Sequence, residues 1–163
     1  MRGSQIAGLV TLFVLLVLLH FFVRPLLDWR AAIDFLTIAV LLVAVRVRPG
    51  TAALVGFLAG VAADSLSPSN VGAAALALSV VGFGASWLKA SFFAEHVLLN
   101  AVFLLVAKMG FDVVFLLAEQ RLHGSALATQ LLVWSPLSAV VTALAGLLIL
   151  VVFRPLLESD ERR

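Results

Sequence analysis

Apolar residues fill most of the chain, and short polar turns interrupt them at intervals. The turns contain residue types that end helices, as at Arg24-Pro25, Arg48-Pro49-Gly50 and Ser67-Pro68-Ser69. A helix needs about 20 apolar residues to cross a bilayer, and the longer segments approach that length. The pattern predicts six transmembrane helices, at about residues 5–23, 31–45, 51–64, 71–88, 97–118 and 130–153.

Composition agrees with this pattern and sets the fold class. Of the 163 residues, 63% are hydrophobic and 12% are charged, whereas a soluble domain carries about 25% charged residues. The mean hydropathy is +1.18. We expect an all-α polytopic membrane protein, a single domain over residues 1–163 that forms a compact bundle of six helices with a charged tail at 154–163. The sequence has no cysteine, which excludes disulfides and thiolate chemistry.

The basic residues predict the orientation of the bundle. With six spans, seven Lys and Arg residues fall on the side of the two termini and three on the opposite side. Because positive residues favour the cytoplasmic side, we expect both termini in the cytoplasm.

Glycines and one acid share a face of the third predicted helix. Gly56, Gly60 and Asp64 follow one another at four-residue steps. Small residues at this spacing let two helix backbones approach closely in lipid. An ionised acid facing lipid costs about 2.5–3.5 kcal/mol, so we expect Asp64 to face protein or water.

Further small residues form stripes on the fourth and sixth predicted helices. We interpret all of these faces either as packing surfaces within the bundle or as surfaces for the transmembrane helix of a partner. Their residues are Gly56, Gly60, Gly72, Ala75, Ser79, Gly82, Ala139, Ala143 and Gly146.

Three acids and one lysine fall at similar predicted depths. Lys108 and Asp112 are four residues apart on the fifth helix, and Asp64 and Asp34 approach the same outer half of the membrane. We predict a buried polar cluster of Asp34, Asp64, Lys108 and Asp112, in which Lys108 pairs with Asp112, with Asp64 or with both.

The sequence offers little for other chemistry. No Ser-His-Asp set or close metal motif is present, so we predict no catalytic residue, no metal site and no cofactor. The isolated His20 suits an interfacial position. An intramembrane Lys/Asp pair also occurs in ion-coupled transporters, but a structural cluster that locks two helices together is the simpler interpretation.

The central part of the chain resembles the rod shape-determining protein MreD family. The resemblance rests on the run Arg48-Pro-Gly-Thr, Gly56-Phe, Gly60, Asp64, Gly72, Ala75-Leu76 and Ser79, on Asp112-Val-Val-Phe115, and on Asp34-Phe-Leu36. In the last motif Ile33 stands where the family has proline.

The resemblance implies a non-enzymatic membrane scaffold of the bacterial elongation machinery. Such a protein would bind the bitopic protein MreC and work with MreB and with the RodA–transpeptidase peptidoglycan synthase. The family is also similar in fold to the substrate-binding subunits of energy-coupling-factor vitamin transporters, which makes a small-molecule carrier the alternative. Those subunits usually carry an Ala-x-x-x-Ala face on the first helix, and here Thr11 follows Ala7.

Overall fold

The computed structural model describes residues 3–27, 33–66, 72–92, 97–120 and 124–158, and all regular structure within them is helical. The helices are α1 (Gly3–Leu27), α2 (Phe35–Ala44), α3 (Pro49–Ser65), α4 (Ala73–Phe92), α5 (Val97–Glu119), α6 (Ser125–Thr129) and α7 (Ser135–Glu158). A π-helical turn, Gln130–Trp134, joins α6 to α7. The predicted all-helical class is confirmed.

Several helix boundaries differ from the predicted ones. The last helical segment begins at Ser125 instead of 130, and it continues through residues 154–158, which we assigned to the tail. The π-helical turn lies directly before Ser135-Pro136, where a proline leaves a backbone carbonyl without its helical donor. The start of the second predicted helix, at 31, lies outside the described residues.

The short helix α2 forms the centre of the bundle. All ten of its residues are buried, and it contacts α1, α3, α4, α5 and α7. At 1.5 Å per residue it is about 15 Å long, half the thickness of a hydrocarbon core. Its first turn therefore lies inside the bundle, where its free N–H groups need partners other than water.

Helices α3 and α4 pack with their backbones in direct contact. A Cβ atom at Gly56 would overlap the carbonyl oxygen of Leu78, and one at Gly60 would overlap the backbone of Ala75. A Cβ at Gly82 would stand 2.7 Å from a carbonyl oxygen of α3. Only glycine fits at these three positions, so this part of the small-residue stripe lies inside the α3–α4 contact.

The small residues of α7 also lie at contacts within the bundle. Ala139 and Ala143 are buried. A Cβ at Gly146 would stand 2.8 Å from Cδ1 of Leu104 on α5 and 3.6 Å from Cγ1 of Ile38 on α2. These positions let α7 approach both neighbouring helices.

The outer surface of the bundle is apolar. Large hydrophobic side chains are exposed on every long helix, such as Val10, Phe57, Val80, Val106 and Leu148. Among the described residues, three helical stretches are long and apolar enough to cross a membrane: Ile6–Val23, Leu98–Glu119 and Ser125–Phe153. Phe35–Ala44 and Ala73–Leu88 are shorter apolar helices.

Candidate functional site

A polar cluster surrounds the first turn of α2. Asp34 is the N-cap of this helix, not a residue of its first turn as a start at 31 implied. Its carboxylate accepts hydrogen bonds from the N–H of Thr37 at 3.1 Å and from the Thr37 hydroxyl at 2.8 Å. The N–H of Asp34 donates to Oγ1 of Thr142 on α7, at 3.1 Å. The start of α2 is therefore fixed both by its own cap and by α7.

His20 satisfies another amide at the same helix start. The N–H of Leu36 donates to Nδ1 of His20, at 3.3 Å, so Nδ1 carries no proton and the ring is in its Nε2–H tautomer. The same Nδ1 lies 3.5 Å from Oδ1 of Asp34. His20 is buried, and it connects α1 to the first turn of α2 instead of lying at an exposed interface.

Lys108 joins α5 to this cluster. Its ammonium lies 3.2 Å from Oδ2 of Asp34 and forms an ion pair with Asp112 on its own helix. It also lies 4.7 Å from the centre of the Phe111 ring. Two carboxylates and an aromatic face compensate for the burial of this charge. The structure thus brings together three of the four residues of the predicted cluster: Asp34, Lys108 and Asp112.

A row of hydroxyls on α7 completes the cluster. Ser135, Ser138 and Thr142 are buried and lie on one face of the helix, at three- and four-residue steps. The Ser135 hydroxyl interacts with the Asp112 carboxylate. The sequence analysis missed this row, although three hydroxyl residues at helical spacing in an apolar segment were a visible signal.

Asp64 lies elsewhere, and the expected Lys108–Asp64 pair is wrong. The Asp64 carboxylate accepts three backbone N–H groups at the start of α4. Oδ2 bonds the amides of Gly72 and Ala75 at 3.0 Å each, and Oδ1 bonds that of Ala74 at 3.1 Å. The free N–H groups and the positive end of the helix dipole stabilise a carboxylate at such a position.

Gly72 also departs from its predicted place. It precedes α4 in a turn with φ of +93°, so it is not part of the helical small-residue face. This left-handed backbone conformation suits glycine, and it accompanies the hydrogen bond from the Gly72 amide to Asp64. The opposite end of the α3–α4 pair is held by the Ser86 hydroxyl, which donates to the carbonyl oxygen of Val47 at 2.7 Å.

A groove of about 720 Å³ runs along the outward side of α3 and α4. Its walls carry large apolar side chains, and its polar groups are the Asp64 end of α3 and Ser79. The lining residues are Phe57, Val61, Asp64, Ser65, Gly72, Ala75, Leu76, Ser79 and Val80. Of the predicted small residues, Gly72, Ala75 and Ser79 therefore line this groove.

The described residues contain no group of three or more His, Cys, Asp or Glu side chains that could hold a metal ion. His96 and His123 lie outside them.

Comparison with protein families shows what the chain is related to. The family model described as rod shape-determining protein MreD matches residues 3–158, nearly the whole chain. The chain belongs to the MreD family. It is thus a membrane protein with a role in rod shape determination, in a family that is part of the MreBCD shape machinery and is not a known enzyme family. No curated protein and no solved structure matches it.

Proposed function

We propose that this MreD-family protein is a non-enzymatic scaffold of the cell-elongation machinery that binds an MreC-type bitopic protein. The observation that carries the proposal is the family match over residues 3–158. The bundle suits a scaffold because α3 and α4 form a closely packed pair, pinned at one end by Asp64 and at the other by Ser86. Such a pair presents a surface of fixed shape.

The groove on α3 and α4 is the surface we propose for the single transmembrane helix of that partner. Its large side chains, such as Phe57, Val61 and Val80, form walls, while Ser79, which is partly exposed, is small. Small residues let a second helix backbone approach, and a serine hydroxyl adds an interhelical hydrogen bond. The inner ends of the helices would then remain available to MreB and to the RodA–transpeptidase synthase.

This proposal includes the topology that the basic residues favour. Six spans in a bacterial cytoplasmic membrane, with both termini inside, leave the start of α4 and the Asp64 end of the groove on the outer side. An MreC-type protein crosses the membrane once, so its helix and its outer segment could contact the groove and its outer end together.

Co-purification with an MreC-type partner tests the proposal. The full chain and Ser79→Leu, which fills the groove, are each expressed with a tagged single-span partner and extracted in mild detergent. We expect the unsubstituted chain to co-purify with the tagged partner and the Ser79→Leu chain not to co-purify with it. Leu148→Phe is the matched control because Leu148 is 67% exposed on α7, away from the groove, and it should bind normally.

Two results would contradict the proposal at different levels. Loss of binding in both variants, or in neither, would remove the groove as the contact surface. Failure of the unsubstituted chain to bind the partner, together with a small molecule that stays bound through purification, would favour the carrier interpretation. Rod-shape complementation in cells lacking their own MreD-family protein gives the independent readout of function.

A further inference from the structure

His20 holds the bundle together through a hydrogen bond that depends on its protonation state. Its Nδ1 accepts the Leu36 N–H at 3.3 Å, and a nitrogen can accept a hydrogen bond only while it carries no proton. Oδ1 of Asp34 lies 3.5 Å from that same nitrogen. Nδ1 therefore faces both an amide donor and a carboxylate, which favour opposite protonation states.

A proton on Nδ1 breaks the hydrogen bond to the Leu36 amide and allows one to the Asp34 carboxylate. We propose that His20 is an acid-sensitive switch at the start of α2. Neutral, it caps α2 through Leu36. Protonated, it turns to the Asp34 carboxylate and leaves the Leu36 amide without an acceptor. Because Leu36 is buried, water does not readily replace the lost acceptor.

The neighbouring charges extend the effect to α5. Among the described side chains, the charged groups of the cluster are Asp34 on α2 and Lys108 and Asp112 on α5, and α7 contributes hydroxyls such as that of Thr142. A charged His20 competes with Lys108 for Asp34, while Lys108 keeps Asp112. Protonation therefore exchanges the Leu36 bond between α1 and α2 for a contact with Asp34, and it weakens the connection of α2 to α5.

The position of His20 lets protons reach it. The apolar stretch of α1 ends at Val23, so His20 lies about 5 Å from its end at 1.5 Å per residue. Histidine is also the side chain that ordinarily changes charge between about pH 5 and 8. A proton arriving at Val23 passes only about one helical turn to reach His20.

The test compares the purified full chain with His20→Asn, in detergent, at pH 8 and pH 5. Asparagine Oδ1 stands near the position of Nδ1 and accepts the Leu36 N–H without titrating in this range. For the unsubstituted chain we expect the thermal midpoint to fall by roughly 3 °C or more at pH 5. Hydrogen exchange at the Leu36 amide, corrected for intrinsic pH dependence, should rise by about tenfold, with Leu41 unchanged. His20→Asn should show neither change.

Three outcomes would overturn the switch. The first is an unsubstituted chain whose midpoint and Leu36 exchange do not respond to pH. The second is a His20→Asn chain with the same acid response as the unsubstituted chain. The third is an acid response that persists in His20→Asn and disappears in Asp112→Asn, which would assign the proton to Asp112.

A direct measurement keeps the proposal testable if His20→Asn does not fold. The chain has three histidines, so replacing His96 and His123 by glutamine leaves His20 as the single one. Nitrogen NMR of labelled histidine should show an unprotonated Nδ1 at pH 8 and a doubly protonated ring at pH 5. A protonated Nδ1 at pH 8, or a ring still neutral at pH 5, would refute the proposal.

Discussion

Replacing Asp64 by alanine tests whether one carboxylate holds the α3–α4 pair together at the end where α3 finishes and α4 begins. The substitution removes the acceptor of three backbone amides, those of Gly72, Ala74 and Ala75. Gly72 is exposed, so its amide can find another acceptor, but Ala74 and Ala75 are buried. Each buried amide without an acceptor costs about 1–3 kcal/mol.

The two buried amides give an expected loss of about 3 kcal/mol, toward the lower part of the range of about 2–6 kcal/mol. For a chain of this size, each kcal/mol shifts the midpoint by about 2–4 °C. The apparent unfolding midpoint in detergent should therefore fall by roughly 6–12 °C. Hydrogen exchange at Ala74 and Ala75 should accelerate more than exchange in the interior of α2.

Two further variants test whether the loss of stability comes from the acceptor oxygens of Asp64. Asp64→Asn keeps one acceptor oxygen and places an NH₂ group against an amide donor, so its midpoint should lie between those of Asp64→Ala and the unsubstituted chain. Ser65→Ala is the neighbouring control, because the exposed Ser65 hydroxyl bonds the carbonyl of Ala62 on its own helix. It should stay within about 0.5 kcal/mol of the unsubstituted chain. Equal midpoints for Asp64→Ala and Ser65→Ala would refute the reasoning.

Other substitutions test the remaining contacts by the same unfolding assay. Gly60→Ala should destabilise by about 1–3 kcal/mol or more, because its Cβ meets backbone, whereas Gly84→Ala on open surface should be neutral or stabilising; similar effects would exclude a close contact. Lys108→Met should cost about 3–5 kcal/mol because the buried Asp34 and the partly buried Asp112 lose their cation, and adding Asp112→Asn should restore part of this loss; an additive double variant would count against the pair. Thr142→Val should cost about 1–3 kcal/mol by removing an acceptor, and an unchanged midpoint would show that this bond contributes nothing.

The spacing of residues within single helices predicted several of the packing contacts. The four-residue step from Gly56 to Gly60 predicted a close backbone approach, and the structure has it against α4. The four-residue step from Lys108 to Asp112 placed both on one helix face, where they pair. These features depend on a single helix, whose period is known without a tertiary structure.

The parts that depend on three-dimensional neighbours were harder to predict. Depth along the membrane put Asp64 level with Asp112, one helical turn beyond Lys108, but depth does not tell which side of a helix faces which neighbour. The free amides of α4 compete for the Asp64 carboxylate, and they begin only eight residues after it. The bond between Asp34 and Thr142 spans 108 positions, and no local pattern in the sequence indicates such a pairing.

The buried start of α2 has a consequence for the order in which the protein is made. The α2 segment leaves the ribosome early, but Lys108 and Thr142, which bond Asp34, are synthesised much later. A nascent chain that stops before Ser125 therefore contains a central helix whose polar end is incomplete, however well its apolar part has entered the lipid. We therefore expect the bundle to complete its centre only after α7 has been synthesised, because the contact of Asp34 with Thr142 requires that helix.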